Sequence, residues 1–321
     1  MVARKVYKIG LDLGNILNKG TLIEDSGEVV LRRFANKITS EKTINPRAIK
    51  LERNGRVLHF GVGDLNNNSQ KYDREYLEEQ ALIMINELLP NEEYVVVDLK
   101  VGLPPTQYFS DQAVELFKNK FTTGEEIECR INNNYKKIKI NSITVYMEGY
   151  SAFKAVEAQG LLGDSKQRIL GLDIGGGTTD ICDYTFDYED NCFYPNKPVT
   201  IPIGIVNITK AIANAINDNN ADTVTQDQVE YTIKNNLELI ENTYKIDDYK
   251  YSIDHLVNDM IRQIKEEYKI QSFETVQILG LGGGFNNFNK LTNNSISNNK
   301  NNIVVSDELK QFGNAIGYLC Q

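Results

Sequence analysis

Cysteine and histidine are scarce in this sequence of 321 residues. The four cysteines, Cys129, Cys182, Cys192 and Cys320, form no close CxxC pair, and His59 and His255 are the only imidazoles. A structural zinc site needs such ligands at short spacing, so reduced and structurally incidental thiols are expected instead. Two histidines so far apart in sequence also argue against a histidine-based nucleophilic triad. Positive charge is in deficit: 35 Lys and Arg against 44 Asp and Glu leave a net charge of −9. A basic groove for nucleic acid is not expected, and any link to DNA would pass through an adaptor. No run approaches the roughly 18–20 apolar residues of a membrane span. The N-terminus enters a strand-like pattern directly, with no visible signal peptide. These absences point to a cytoplasmic protein with no membrane and no direct nucleic-acid contact.

What is present is ordinary in bulk and specific in detail. Apolar residues make up 41% and charged residues 25%, as in soluble globular proteins, and the length suits two domains. Apolar patterning predicts strands over 6–13, 20–23 and 28–34, joined by tight turns, with residues 36–75 irregular and polar. Leu77, Ala81, Ile85 and Leu88 share a helical face within 76–89. Further strands are predicted over 94–99 and 142–147. Helices are predicted over 110–120, with Ser110 as N-cap, and over 151–160. The pattern then restarts with strands at 168–174 and 179–186. Helices follow over 207–216, 226–239 and 252–268, then a strand over 275–279. An Asn-rich surface loop is expected over 286–302, then a short strand at 303–305 and a closing helix over 309–319. The Asn-rich stretches at 66–68, 217–220 and 293–302 read as surface, with assembly contacts the alternative.

The restart carries an internal repeat. Ile9-Gly10-Leu11-Asp12-Leu13-Gly14 matches Leu170-Gly171-Leu172-Asp173-Ile174-Gly175 at one offset, since 173 − 12 and 175 − 14 are both 161. Each half therefore opens with a buried strand, an Asp and a Gly turn. A strand that ends in Asp-x-Gly and doubles back presents backbone N–H groups, and glycine lets a phosphate approach them closely. The second turn, Asp173 to Asp180, is the richer one: Gly175, Gly176 and Gly177 allow positive φ, and Thr178 and Thr179 add hydroxyls. Asp173 stands where a hydrated Mg²⁺ could be held. The first turn, Asp12 to Lys19, has one glycine, the amides Asn15 and Asn18, and Lys19 as a point charge for phosphate. A third glycine run, Gly280 to Gly284, follows a strand but lacks GxGxxG spacing, so a Rossmann fingerprint is not supported. It offers a flat backbone surface for an adenosine, with Phe285 either flanking the base or packing in the core. Glu148, at the end of a strand and before Gly149, could orient or deprotonate a water, but alone it is one of 44 acidic residues and gains meaning only from the order of motifs.

Taken in order, these motifs resemble the actin/Hsp70/sugar-kinase ATPase superfamily over nearly the whole chain. Asp12–Lys19 and Leu170–Asp180 resemble its two phosphate loops, and Val145–Phe153 its first connecting segment. Ile278–Phe285 resembles its adenosine segment and Gln311–Leu319 its second connecting helix. Val101-Gly102-Leu103-Pro104-Pro105, followed by Tyr108, is similar to a segment of ParM-like bacterial plasmid-segregation actins. Two departures stand out: Asn15-Ile16-Leu17 where a Ser or Thr is usual, and Met147 where Pro or Gln usually precedes the Glu.

The resemblance implies an α/β, actin-like ATPase fold: two related, RNase H-like domains flanking a nucleotide cleft, each with a smaller subdomain. The expected boundaries are 1–150, with 36–90 the smaller subdomain and the closing helix 305–321 returning to this half. The second domain is expected over 151–304, with 205–272 its smaller subdomain. The resemblance further implies binding and hydrolysis of ATP, with GTP an open alternative. Glu148 and Asp173 would be catalytic, and Asp12 and Asp173 would hold Mg²⁺ through water. Asp12, Gly14, Asn15, Asn18, Lys19, Gly175, Gly176, Gly177, Thr178, Thr179, Gly282, Gly283, Gly284 and Phe285 would bind nucleotide. The implied partners are further copies of the chain, in a dynamic filament, and a DNA-binding adaptor of ParR type. Rival classes are a small-molecule kinase of the same superfamily and a non-polymerising nucleotide-binding scaffold.

Overall fold

The computed structural model describes residues 5–66, 68, 70–163, 166–220, 223–292, 296 and 298–321. Of the Asn-rich stretches, Asn67, Asn293, Asn294, Ser295 and Ser297 lie outside the described residues. The chain divides into two compact units, Met1–Gln159 with Phe312–Gln321, and Gly160–Gln311.

In the first unit the chain runs β1 (Val6–Leu13), β2 (Leu17–Ile23), β3 (Val29–Ala35), β4 (Lys37–Thr39), β5 (Ile49–Arg53), β6 (Arg56–Phe60) and β7 (Asp64–Leu65). Helix α1 (Leu77–Leu88), strand β8 (Tyr94–Leu103) and helices α2 (Pro105–Tyr108) and α3 (Asp111–Lys118) follow. Strands β9 (Glu126–Ile131) and β10 (Asn134–Met147) and helix α4 (Tyr150–Ala158) complete it. Among the described residues its sheet has the order β3-β2-β1-β8-β10-β9-β5-β6-β4-β7. β1 pairs antiparallel with β2 and parallel with β8, and β8 pairs parallel with β10. Alternation along β1 puts Ile9, Leu11 and Leu13 on one face, all fully buried, under α1: a Cβ on Gly20 would touch Met84 and Leu88. Each such buried Leu or Ile contributes about 1.5–3 kcal/mol over exposure. The other face of β1 lies against helix α9 (Asp307–Leu319), where a Cβ on Gly10 would stand 2.1 Å from the Ala315 carbonyl.

The second unit runs β11 (Ile169–Ile174), β12 (Thr179–Asp187), β13 (Cys192–Pro195), β14 (Val199–Ile201), α5 (Ile205–Asn219) and α6 (Gln226–Lys234). Then come the small hairpin β15 (Leu239–Ile240) and β16 (Tyr244–Lys245), helix α7 (Asp254–Tyr268), β17 (Gln277–Leu281), α8 (Phe285–Leu291) and β18 (Asn302–Ile303). The main sheet order is β13-β12-β11-β17-β18, with β14 beside β12. β11 and β12 are antiparallel, and β11, β17 and β18 are parallel. This matches β3-β2-β1-β8-β10 strand for strand in order and sense, so the 161-residue offset marks a repeated topology.

Several expectations need correction. Residues 36–75 are not irregular: they supply β4 to β7, which continue the main sheet through β9. The stretch after Phe285 opens as helix α8, with Phe288 and Leu291 buried, rather than as a loop. β10 is 14 residues long, more than twice the expected run 142–147, and a register shift between Ile140 and Ser142 lets it bend. α4 packs with the first unit, so the division falls after Gln159, and the second division passes within α9. Side chains of 205–272 share one apolar cluster with β11, β12 and α8.

Candidate active site

In the first unit, chemistry gathers where β1 ends. Asp12 and Lys19 face each other across the β1–β2 hairpin, and Lys19 Nζ lies 2.8 Å from Asp12 Oδ2. A Cβ on Gly14 would come within 2.6 Å of the Leu17 carbonyl, so this turn is open only to glycine. Glu148 follows β10, and its N–H donates to the Leu103 carbonyl at the end of β8 (2.9 Å). Gly149 then turns the chain at φ +74 and donates its N–H to Asn314 Oδ1 on α9 (2.8 Å). This pins the head of α4, and Glu148 is 9% exposed.

Two cations that the sequence did not single out complete the cluster. Lys71 is buried; its Nζ bonds Glu148 Oε1 and stands 3.8 Å from Asp12 Oδ1. Its N–H is anchored on Gln107 Oε1 (2.9 Å). Arg74 is buried behind the turn and reaches its carbonyls. Burial alone would raise the Asp12 carboxyl, but Lys19, Lys71 and Arg74 reverse this and hold it below the ordinary carboxylate range. Burial lowers the Arg74 guanidinium from its usual value, against the pull of Glu148 and Asp12. Three cations around two carboxylates leave one positive charge in excess, which suits a polyanion rather than a bare metal ion.

In the second unit the β11–β12 turn is closed by a bond from the Gly175 N–H to the Thr178 carbonyl (2.8 Å). The head of α5 lies directly behind it, because Gly204 has no Cβ: one would stand 2.4 Å from the Gly176 carbonyl. The Gly282 to Gly284 segment abuts the same turn. Gly282 has φ +80, and a Cβ there would meet Asp173 Oδ1 at 2.3 Å. Asp173 stands opposite Asp180 in the ladder. Two carboxylates in one cross-strand pair repel unless a cation is shared between them. Among the described residues no three His, Cys, Asp or Glu side chains form a metal site. A Mg²⁺ held through water and substrate oxygens needs no such cage.

Three expected nucleotide contacts are misplaced. Asn18 pairs in register with Leu13 and Phe34, on the core face of the hairpin, and is fully buried, while Asp12 and Lys19 occupy the opposite face. Thr179, its equivalent at offset 161, pairs with Ile174; its hydroxyl donates to the Ile203 carbonyl (2.7 Å) inside the core. Strand alternation makes both outcomes one fact: the residue before the outward Lys19 or Asp180 must point inward. The Phe285 ring lies on Gly280 in the core, so it contributes to any nucleotide site only through its backbone. Asn15 turns its side-chain oxygen to Arg74 Nη2. Lys71 and Arg74 escaped the sequence because they stand in a polar stretch with no periodicity. One lysine among many carries no local signal until the sheet brings it beside Glu148.

No protein-family model matches this chain, and no curated protein does. Solved structures do. Ta0583, an archaeal actin homologue, superposes with a TM-score of 0.74 at 17% identity, over 98% of each chain. The chain has the actin-like fold. The subunit of a 15-stranded ParM filament from Clostridium botulinum matches with a TM-score of 0.69 at 20% identity, over 98% of each chain. The apo psk41 ParM protein matches at 0.66 and 18%, over 99% of this chain and 97% of that one. Ta0583 has also been solved in complex with ADP. At these identities the likeness is one of fold, and within this actin-like fold the two Asp-Gly turns are the repeated hairpins of the two units.

Proposed function

We propose that this chain is an actin-like ATPase that binds ATP and Mg²⁺, hydrolyses the nucleotide and assembles with copies of itself into filaments. The observation that carries the proposal is the cluster of Asp12, Lys19, Lys71 and Glu148 at the end of β1: a carboxylate held among cations beside a glycine turn. The turns 12–19 and 173–180 bind the phosphates through N–H groups, with Lys19 as a point charge. Gly282 to Gly284 carry the adenosine. Asp173, with Asp180 opposite, would hold Mg²⁺ through water, and Asp12 is its counterpart carboxylate in the first unit. Bound Mg²⁺ supplies charge neutralisation at the β- and γ-phosphates. Glu148 orients the attacking water and accepts its proton. Lys71 aims Glu148 through their ion pair and adds positive charge beside the transferred phosphoryl group.

Filament assembly is supported by the fold shared with a ParM known as a 15-stranded filament and with Alp12, also solved as a filament. On that reading the protein works in the cytoplasm and moves plasmid DNA through a DNA-binding adaptor of ParR type. The test is Glu148→Ala, with phosphate release and light scattering followed together. Hydrolysis is expected to fall by roughly a hundredfold or more, with assembly retained and disassembly slowed. Unchanged phosphate release would remove Glu148 from the chemistry.

A further inference from the structure

The first turn has one glycine against three in the second and none of its hydroxyls, yet its backbone is held in an equivalent way. In the second turn three successive carbonyls are tied from behind by backbone amides. Gly284 N–H donates to Ile174 O (2.9 Å), Ile205 N–H to Gly175 O (3.1 Å) and Val206 N–H to Gly176 O (2.9 Å). At the 161-residue offset the equivalent carbonyls are those of Leu13, Gly14 and Asn15. All three are tied as well, by side chains. Arg74 Nη1 donates to Leu13 O (2.8 Å) and Gly14 O (3.2 Å). Asn36 Nδ2 donates to Gly14 O (2.8 Å) and Asn15 O (3.2 Å). The Asn36 N–H adds a bond to Ile16 O (2.7 Å).

The two clamping side chains are fixed in turn. Asn36 is fully buried, takes a bond from Gln80 Nε2 on its oxygen, and shares its amide with Asn66 O (2.7 Å). Arg74 is 2% exposed and also holds the Asn15 side-chain oxygen. In a trans peptide the C=O and the following N–H point in opposite directions. Carbonyls of 13, 14 and 15 fixed against Arg74 and Asn36 therefore turn the N–H groups of Gly14, Asn15 and Ile16 the other way. Three successive amides facing one side make an anion-binding concavity.

We infer that Asn36 and Arg74 are positioning residues for the first phosphate turn. They do with side chains what the backbone of α5 and the Gly282–Gly284 segment does for the second. This inference rests on the nucleotide reading of the site and adds a source for its phosphate affinity. It also accounts for Asn15 where a hydroxyl residue is usual: the amide oxygen serves Arg74, and the phosphate is left to main-chain donors.

The experiment measures displacement of a fluorescent ADP analogue by ATP and by adenosine, for the full chain and for Arg74→Ala, Arg74→Lys and Asn36→Asp, with thermal melts of each. Arg74→Ala and Asn36→Asp are expected to weaken ATP by roughly tenfold or more, with adenosine changed less than about twofold. Arg74→Lys keeps the charge but loses the fork that holds the two carbonyls through Nη1 and the Asn15 oxygen through Nη2, and should fall between. Added guanidinium should restore ATP binding to Arg74→Ala and not to Asn36→Asp. A purely structural role predicts equal losses for ATP and adenosine that follow the melting temperature, and that outcome overturns the inference. So does wild-type ATP affinity in folded Arg74→Lys and Asn36→Asp. If the unaltered chain binds neither ATP nor ADP, the nucleotide reading itself fails, which is a different result from variants that match a binding wild type.

Discussion

Asp12 shows how one residue's environment sets both chemistry and stability. Its carboxylate is buried, which alone would favour the neutral form, yet Lys19, Lys71 and Arg74 keep it ionised. Its folded pKa thus lies below the unfolded one. The resulting stabilisation is full above the ordinary carboxylate value, about pH 4, and is lost as pH falls through the lower folded value. Urea titrations between neutral and acid pH should show this decline, and Asp12→Asn should flatten it while lowering stability at neutral pH, where three cations lose a partner. An unchanged acid limb in Asp12→Asn would contradict the assignment. At this scale the sequence singled out Asp12 at a strand's end, Lys19 in the turn after it, and Glu148 through the order of motifs around it. It did not disclose Lys71, Arg74 or Asn36, whose roles depend on carbonyls and carboxylates far along the chain. Asn18 and Thr179 were misread because a turn motif names neighbours without saying which way alternate side chains point.

The elements repeat this contrast between local pattern and remote contact. β1 and α7 were legible because each has one apolar face with the right period, and β11 and α1 because they are runs of mostly buried, largely apolar residues of strand and helix length. The first half of β10, Asn134 to Ile140, alternates lysines with Ile138 and Ile140, and only its pairing with β9 and β8 stabilises it as a strand. β4 and β7, of three and two residues, are too short to show a period, and β5 and β6 have only five each. The junction of the second turn with α5 carries a sharper prediction. Gly204 sits at φ −131 and ψ −175, extended backbone open to any residue, so its requirement comes from contact alone. Gly204→Ala pushes a methyl against the Gly176 carbonyl. It should cost about 1–3 kcal/mol by chemical denaturation and loosen ATP binding by displacing the Ile205 and Val206 amides. A Cβ at Gly177 meets nothing within 4 Å, so Gly177→Ala should leave the denaturation midpoint nearly unchanged. Equal midpoints for the two variants would contradict the packing described.

At the scale of the molecule, two units built on one strand order each present an Asp-Gly turn at the end of their first strand. The repeat was readable from six residues because the offset preserves both the strand and its turn. The different means of bracing the two turns were not, since one uses backbone and the other side chains from unrelated positions. The net charge of −9 sets copies of the chain against one another, so the proposed assembly needs contacts that outweigh this repulsion. Light scattering after addition of Mg²⁺ and ATP to the purified full chain tests this most directly. A rise that requires ATP, a plateau, and a decay as phosphate is released are expected. A flat trace from a protein that binds and turns over ATP would contradict assembly, and turnover that waits for an added acceptor would make the chain a kinase.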